Sequence, residues 1–151
     1  MALKERIADE MKAALLGGNR FVGETLRNLK AAILNEEVAQ GKRVDGLSDD
    51  EIEKIIVREV KKRVESAKLY RDNNRLDLAE PEEQEIEVLK AYLPVQLDEP
   101  AVRDLVMKKI VELHADSMQM MGQVIGAVKA EAGNSADGAL IANIVKQELS
   151  K

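Results

Sequence analysis

The 151-residue chain has no cysteine, no tryptophan, one histidine and three prolines, and its other aromatics are Phe21, Tyr70 and Tyr92. Each scarcity excludes something. Without cysteine there is no disulfide, thiolate zinc site or thiol nucleophile. A single histidine rules out His-rich metal centres. So few rings argue against β-sandwiches and barrels, and against aromatic platforms on which nucleobases stack. The apolar runs are only a few residues long, far short of the ~20 needed to cross a bilayer. No membrane partner is expected. The opening Met1-Ala2-Leu3-Lys4-Glu5-Arg6 enters a charged pattern without the apolar core of a signal peptide. A soluble cytosolic protein is the expectation.

Apolar residues are nevertheless 45% of the chain, so a core of Leu, Ile, Val, Ala and Met can be buried. Lys and Arg number 23 and Asp and Glu 28, a net charge of −5. That balance does not indicate a generally basic nucleic-acid binder, and no DNA partner is expected. It leaves room for a local basic patch.

The apolar spacing is helical almost throughout. Leu3, Ile7, Met11, Ala14 and Leu15 mark a first helix, ended by Gly17-Gly18-Asn19. Val22, Leu26, Leu29 and Ile33 mark a second, stopping near Gly41. Ser48 and Glu51 form a capping box ahead of a long helix to about Asn73. Its apolar stripe is Ile52, Ile56, Val60, Ala67 and Tyr70. A fourth helix is expected from Asp77 or Glu80, with Pro81 in its first turn and Ile86, Leu89 and Leu93 inward.

Pro94 breaks the pattern and Asp98-Glu99-Pro100 restarts it, which predicts an all-α protein in two parts, 1–93 and 94–151. The second part has three shorter helices. One carries Val102, Leu105, Val106, Ile110 and Leu113. The next starts at Ser117 and carries Met118, Met121, Val124, Ile125 and Val128. The last starts near Asp137 and carries Leu140, Ile141, Ile144, Val145 and Leu149.

Charge is uneven. Residues 54–75 hold eight bases against three acids, and residues 77–87 hold six acids and no base. The two helices are expected to pack antiparallel with opposite charges facing. On a helical wheel Lys54, Arg58, Lys61 and Lys68 face outward, a solvated face or a phosphate-binding stripe. Arg63 falls about 20° from Ile52, inside the apolar stripe. A buried charge needs a partner; Glu59, four residues earlier, is the candidate, in an ion pair at the interface of the two parts. His114, beside Glu112 and Asp116, suits a helix C-terminus better than a metal site. Gly122 and Gly126 share a face that admits a close backbone, read as packing inside the second part. Asp137 is the expected cap of the last helix. No Walker loop, dinucleotide fingerprint, HExxH or nucleophile elbow is present, so no catalytic residue, metal or cofactor is assigned.

Several segments, in order, resemble the YqeY family, stand-alone relatives in the GatB/YqeY domain group. They are LRNLKAAILNEE at 26–37, VKKRVESA at 60–67, RLDLAEPEEQE at 75–85, YLPVQL at 92–97, MGQVIGAVK at 121–129 and ADG at 136–138. The resemblance implies two helical domains. It also implies that the second is similar to the tail of the B subunit of the glutamine-dependent tRNA amidotransferase, which helps hold tRNA. The family label is carbon–nitrogen ligase with glutamine as amido-N-donor. Where relatives read Lys-x-Lys-x-x-Gly-Arg-Ala-Asp-Gly, this chain keeps Lys129 but has Glu131 and Asn134-Ser135. The resemblance therefore implies a non-catalytic accessory or adaptor protein that binds tRNA or a tRNA-processing enzyme. Lys129 and Lys146 are the C-terminal candidates for RNA, and Lys54, Arg58 and Lys61 a second surface. The alternative is a protein–protein interaction module without RNA contact; a catalytic amidotransferase ranks last.

Overall fold

A computed structural model describes residues 2–151, and every regular element among them is helical. The chain divides into two compact units, Met1–Leu93 and Pro94–Lys151.

The first unit holds α1 (Leu3–Leu16), α2 (Arg20–Ala39), α3 (Asp49–Asp72) and α4 (Leu76–Lys90). Helix α3 has 24 residues, about 36 Å at 1.5 Å each. Its start is set locally. The Ser48 side chain accepts from Glu51 N–H, and Glu51 accepts in return from Ser48 N–H. Only three residues join α3 to α4, so the pair folds back antiparallel. The opposite charges face as expected: Arg63 pairs with Glu85, and Arg71 with Glu83. The core is one aliphatic cluster that includes Ile7, Leu26, Leu29, Ile33, Ile52, Ile56 and Leu89, closed by Tyr92.

Helix α4 differs from expectation. It begins at Leu76, which puts Pro81 inside the helix instead of in its first turn. Pro81 has no N–H to give. The turn before it forms because Leu78 N–H and Ala79 N–H both donate to the Arg75 carbonyl, and because Ala79 is fully buried.

The second unit holds α5 (Glu99–Leu113), α6 (Met121–Ala132) and α7 (Gly138–Leu149). Asp98 caps α5 by accepting from Ala101 N–H at 2.9 Å, and Pro100 sits where its missing donor costs nothing. His114 ends α5 in the left-handed conformation, with φ of 52°. Val102, Val106, Val124, Val128, Ile141, Ile144 and Val145 form the core. Met118 does not join it. Residues 118–120 form a single 3₁₀ turn ahead of α6, and Met118 is exposed.

Candidate nucleic-acid interface

The outward face of α3 carries Lys54, Arg58, Lys61, Lys62 and Lys68, with Glu65 the acid among them. These positions run over about 21 Å of helix. A shallow depression of about 450 Å³ lies along Lys54, Val57, Arg58, Lys61, Lys62 and Glu65. Lys54 Nζ pairs with Asp50 one turn earlier at 3.2 Å, and Arg58 reaches Glu36 of α2 at 3.7 Å. Both pairs are exposed, so they are worth little and yield readily to a stronger anion.

The inward face of α3 is different. Arg63 is 14% exposed; its Nε donates to Glu85 Oε2 at 3.1 Å and its Nη1 to the Glu59 carbonyl at 3.0 Å. The Glu59 carboxylate stands farther off, at 3.7 Å. The expectation of an ion pair between the two parts is thus corrected: Arg63 is satisfied within the first unit, in the α3–α4 seam. The reason is that Glu85, 22 residues along the chain, returns beside it on the antiparallel partner. Glu59 is itself buried, and its Oε2 makes no hydrogen bond. Lys62 Nζ lies 3.0 Å from that oxygen, an ion-pair distance reached within one turn without hydrogen-bond alignment.

Beside these residues a groove of about 490 Å³ opens between α2 and α3. Its α2 wall is built on Asn28, Ala31, Ala32 and Asn35. Glu59, Arg58 and Lys62 form the α3 side. Sequence periodicity does not reveal a groove between two helices. The signal that was available is the small, polar set at 28, 31, 32 and 35, spaced i, i+3, i+4 and i+7. Glu37 was equally legible: it continues the Leu26, Leu29, Ile33 stripe of α2, is 1% exposed and pairs with Lys4 at 2.8 Å.

In the second unit the cations are mostly engaged. Arg103 bridges Glu148 at 2.5 Å and Glu99 at 3.2 Å. Lys108 and Lys109 both reach Glu131, at 3.3 and 3.5 Å. Lys108, hydrogen-bonded to Glu131, holds its carboxyl below the usual range. Glu131 therefore does more than add an anion to the turn: it occupies two lysines. Lys129 and Lys146 are exposed. Lys129 Nζ lies over the start of α7, 3.5 Å from where a Cβ would stand on Gly138. Asp137 caps that helix through Ala139 N–H at 3.2 Å.

Gly122 and Gly126 correct an expectation. A Cβ on either would meet nothing within 4 Å, so no backbone packs on them within the second unit. The i, i+4 spacing puts both on one face, but α6 buries Val124 and Val128 against α5 and α7 and turns the glycines outward.

Within the second unit, residues 96–97 and 134–135, far apart in sequence, are brought together next to the segment 136–138. Leu97 N–H donates to the Ser135 carbonyl at 2.7 Å, and Gln96 Nε2 donates to the Asn134 carbonyl at 2.9 Å. A family model described as Yqey-like protein matches residues 4–149. The chain belongs to the YqeY family. Two curated relatives of this YqeY-family chain are named "Altered inheritance of mitochondria protein 41, mitochondrial". The one from Clavispora lusitaniae is 34% identical over 101 residues, which is 65% of this chain and 57% of the relative. The one from Lachancea thermotolerans is 34% identical over 85 residues, 56% of this chain and 44% of the relative. The chain spans about half the length of the curated relatives it matches. Their mitochondrial names overturn the expectation of a cytosolic protein. That expectation rested on the lack of an apolar signal core, and a mitochondrial address is instead amphipathic and Arg-rich, so the lack bears only on secretion.

Proposed function

We propose that this YqeY-family protein is a non-catalytic accessory factor that docks on tRNA through the outer face of α3. The observation that supports the reading is the density of positive charge on one surface. Five cations and one acid share the outer α3 face between 54 and 68, whereas the second unit spreads six cations among eight acids, and four of those six are held by Glu99, Glu112, Glu131 and Glu148. Phosphate contacts position a protein on folded RNA, whose shape and backbone are recognised more readily than its paired bases. With few aromatic rings, the α3 face suits that mode. Lys129 and Lys146 add a smaller C-terminal contribution. The mitochondrial names of the relatives fit such a role, since mitochondria translate with tRNAs of their own.

The test is binding of bulk tRNA to the full chain across a salt series. The expected result is a negative log–log slope that flattens in an Arg58→Glu, Lys61→Glu, Lys68→Glu triple variant and changes less in Lys129→Glu, Lys146→Glu. No binding at low salt overturns the reading. A protein–protein module is the second reading. It is favoured by Met107 and Val111, one turn apart and exposed on α5, in a unit whose charges are largely self-paired. Such a contact would persist in high salt.

A further inference from the structure

Helix α5 is apolar on two opposite faces. Val102 and Val106 are buried in the core of the second unit. On the far side Pro100, Asp104, Met107, Val111 and His114 are all exposed, and Met107 and Val111 stand 42% and 69% open to solvent. These positions recur after four, three, four and three residues, the alternation with which one helix of a coiled coil meets another. A helix that covers only its own core is polar on its outer side.

The stripe holds two ionisable groups, and they are placed symmetrically. Asp104 stands three residues before Met107, and His114 three residues after Val111. Neither side chain has an ion pair or hydrogen bond among the described residues. When two copies of α5 lie antiparallel, position 107 falls opposite 111 and position 104 opposite 114. Met107 then packs on Val111 of the second copy, and Asp104 meets the His114 imidazole. A parallel arrangement sets each residue against itself, so Asp104 would face Asp104. The stripe is therefore the complement of its own reverse, which is what a contact made twice about a two-fold axis requires. A foreign partner imposes no such symmetry.

Two rim positions come close to that axis. Lys108 is already held by Glu131 at 3.3 Å, so two neutralised pairs meet there and not two bare cations. On the other rim Ile110, half-buried in its own unit, adds apolar surface.

We propose that the outer face of α5 is a homodimer seam: two copies of this chain pack antiparallel about a two-fold axis between Met107 and Val111, with Asp104 of each copy paired with His114 of the other. The proposal stands apart from the RNA-docking reading, which uses α3.

The experiment is sedimentation equilibrium of the full chain from about 1 μM to about 1 mM. The seam is short, so the expected result is a monomer–dimer equilibrium with a dissociation constant on the order of 100 μM. Val111→Glu, at an open position, should keep the helical circular dichroism of the parent. It should weaken the dimer about tenfold or more, because a carboxylate then faces Met107. Asp104→Lys sets an ammonium against His114, and His114→Asp sets a carboxylate against Asp104. Each should weaken the dimer about fivefold, since the pair is lost twice per dimer. Aspartate tolerates the φ of 52° at position 114. Combining Asp104→Lys with His114→Asp restores the pair with its signs exchanged and should return the affinity to within about twofold of the parent. A chain that is monomeric throughout overturns the proposal and leaves the face to a different protein. A dimer that none of these variants weakens also overturns it, because its interface then lies elsewhere. A double variant as weak as the single ones overturns the antiparallel register and the seam with it. None of these outcomes bears on whether α3 binds RNA.

Discussion

The two units of this protein shelter charge to different degrees. The first places ionised side chains inside its helix seams: Glu37 and Glu59 are buried, and Arg63 is nearly so. The second has a fully buried core of valines and isoleucines, and each of its sheltered charges keeps a more exposed partner: Glu148, 6% exposed, is held by Arg103 at 33%, and Lys109, 15% exposed, by Glu112 and Glu131 at 47% and 43%. The difference follows from the helices available. The long α3 has seven bases from 54 to 71, more than one exposed face accommodates, and the acidic α4 arrives beside it. The short helices of the second unit have a wider apolar share, and their charges pair at the rim of the core. The first unit therefore depends on matched pairs, and the second on aliphatic packing.

The largest expected effect tests that dependence directly. Arg63→Met keeps an apolar stem but leaves Glu85 in the seam without its cation and Glu59 with Lys62 alone. Breaking a buried pair from one side costs about 3 kcal/mol or more, seen as a lower midpoint in urea. Adding Glu59→Met and Glu85→Met should recover most of that loss, because replacing a whole buried ionic group by apolar residues is often nearly neutral. If Arg63→Met alone is harmless, the seam is wetter than its burial implies and the contrast between the units weakens.

A smaller effect is expected at the end of the first unit. Tyr92 donates its hydroxyl hydrogen bond to Glu10, and the Arg6 guanidinium lies 4.7 Å from the Tyr92 ring centre. Tyr92→Phe should cost about 1 kcal/mol. The pH dependence is two-sided. The Tyr92 hydrogen bond, and more weakly Arg6, hold the Glu10 carboxyl below its ordinary 4.5. Its stabilisation is present above that pH and is lost as pH falls through the lowered value. Burial, and then Glu10, raise the Tyr92 phenol above its ordinary 10.0. Its contribution is complete below pH 10 and is lost as pH rises through the raised value. Wild type and Tyr92→Phe should therefore differ most between about pH 5 and 10 and converge at both extremes, in thermal melts across pH.

The second unit supplies the counterpart. Arg103→Ala removes a clamp between α5 and α7, but Arg103 is 33% exposed and Glu148 keeps Lys151 at 3.0 Å. Its deficit should be smaller than that of Arg63→Met and should fade as salt rises, since exposed pairs are screened. The Arg63 deficit should persist in the same salt series. A salt-independent loss at Arg103 would put the two units on the same footing.

How much of this was legible depends on the range of the interaction. The helical spacing, the Ser48–Glu51 capping box and the break at Pro94 are local signals, and the all-helical fold follows from them. Arg63 was visible as a charge in an apolar stripe, because a wheel needs only its own helix. Its partner Glu85 was not, because that choice depends on how α4 registers against α3. Glu37 carried the same signal as Arg63 and was missed. Leu76 lies one residue from the earlier of the two starts expected for α4, Asp77; what differs is Pro81, which suits a first turn but stands inside the helix, because the Arg75 carbonyl and buried Ala79 set that turn upstream of it. The α2–α3 groove belongs to two helices at once, and no single-helix pattern contains it.

The smallest predicted effect has the opposite sign. Gly122 and Gly126 stand inside α6 with open space where a Cβ would go. Alanine loses less backbone freedom than glycine on entering a helix. Gly122→Ala and Gly126→Ala should each stabilise the chain by about 0.5–1 kcal/mol, read as a higher melting temperature. Gly133 is the control: its φ of 56° is in the left-handed region, so Gly133→Ala should destabilise. The glycine pair also separates the two functional readings. If tRNA is held by α3 alone, both alanines should leave the salt series unchanged. If binding weakens while stability rises, the bare face of α6 is a contact surface, and the second unit shares the docking that α3's charge assigns to the first.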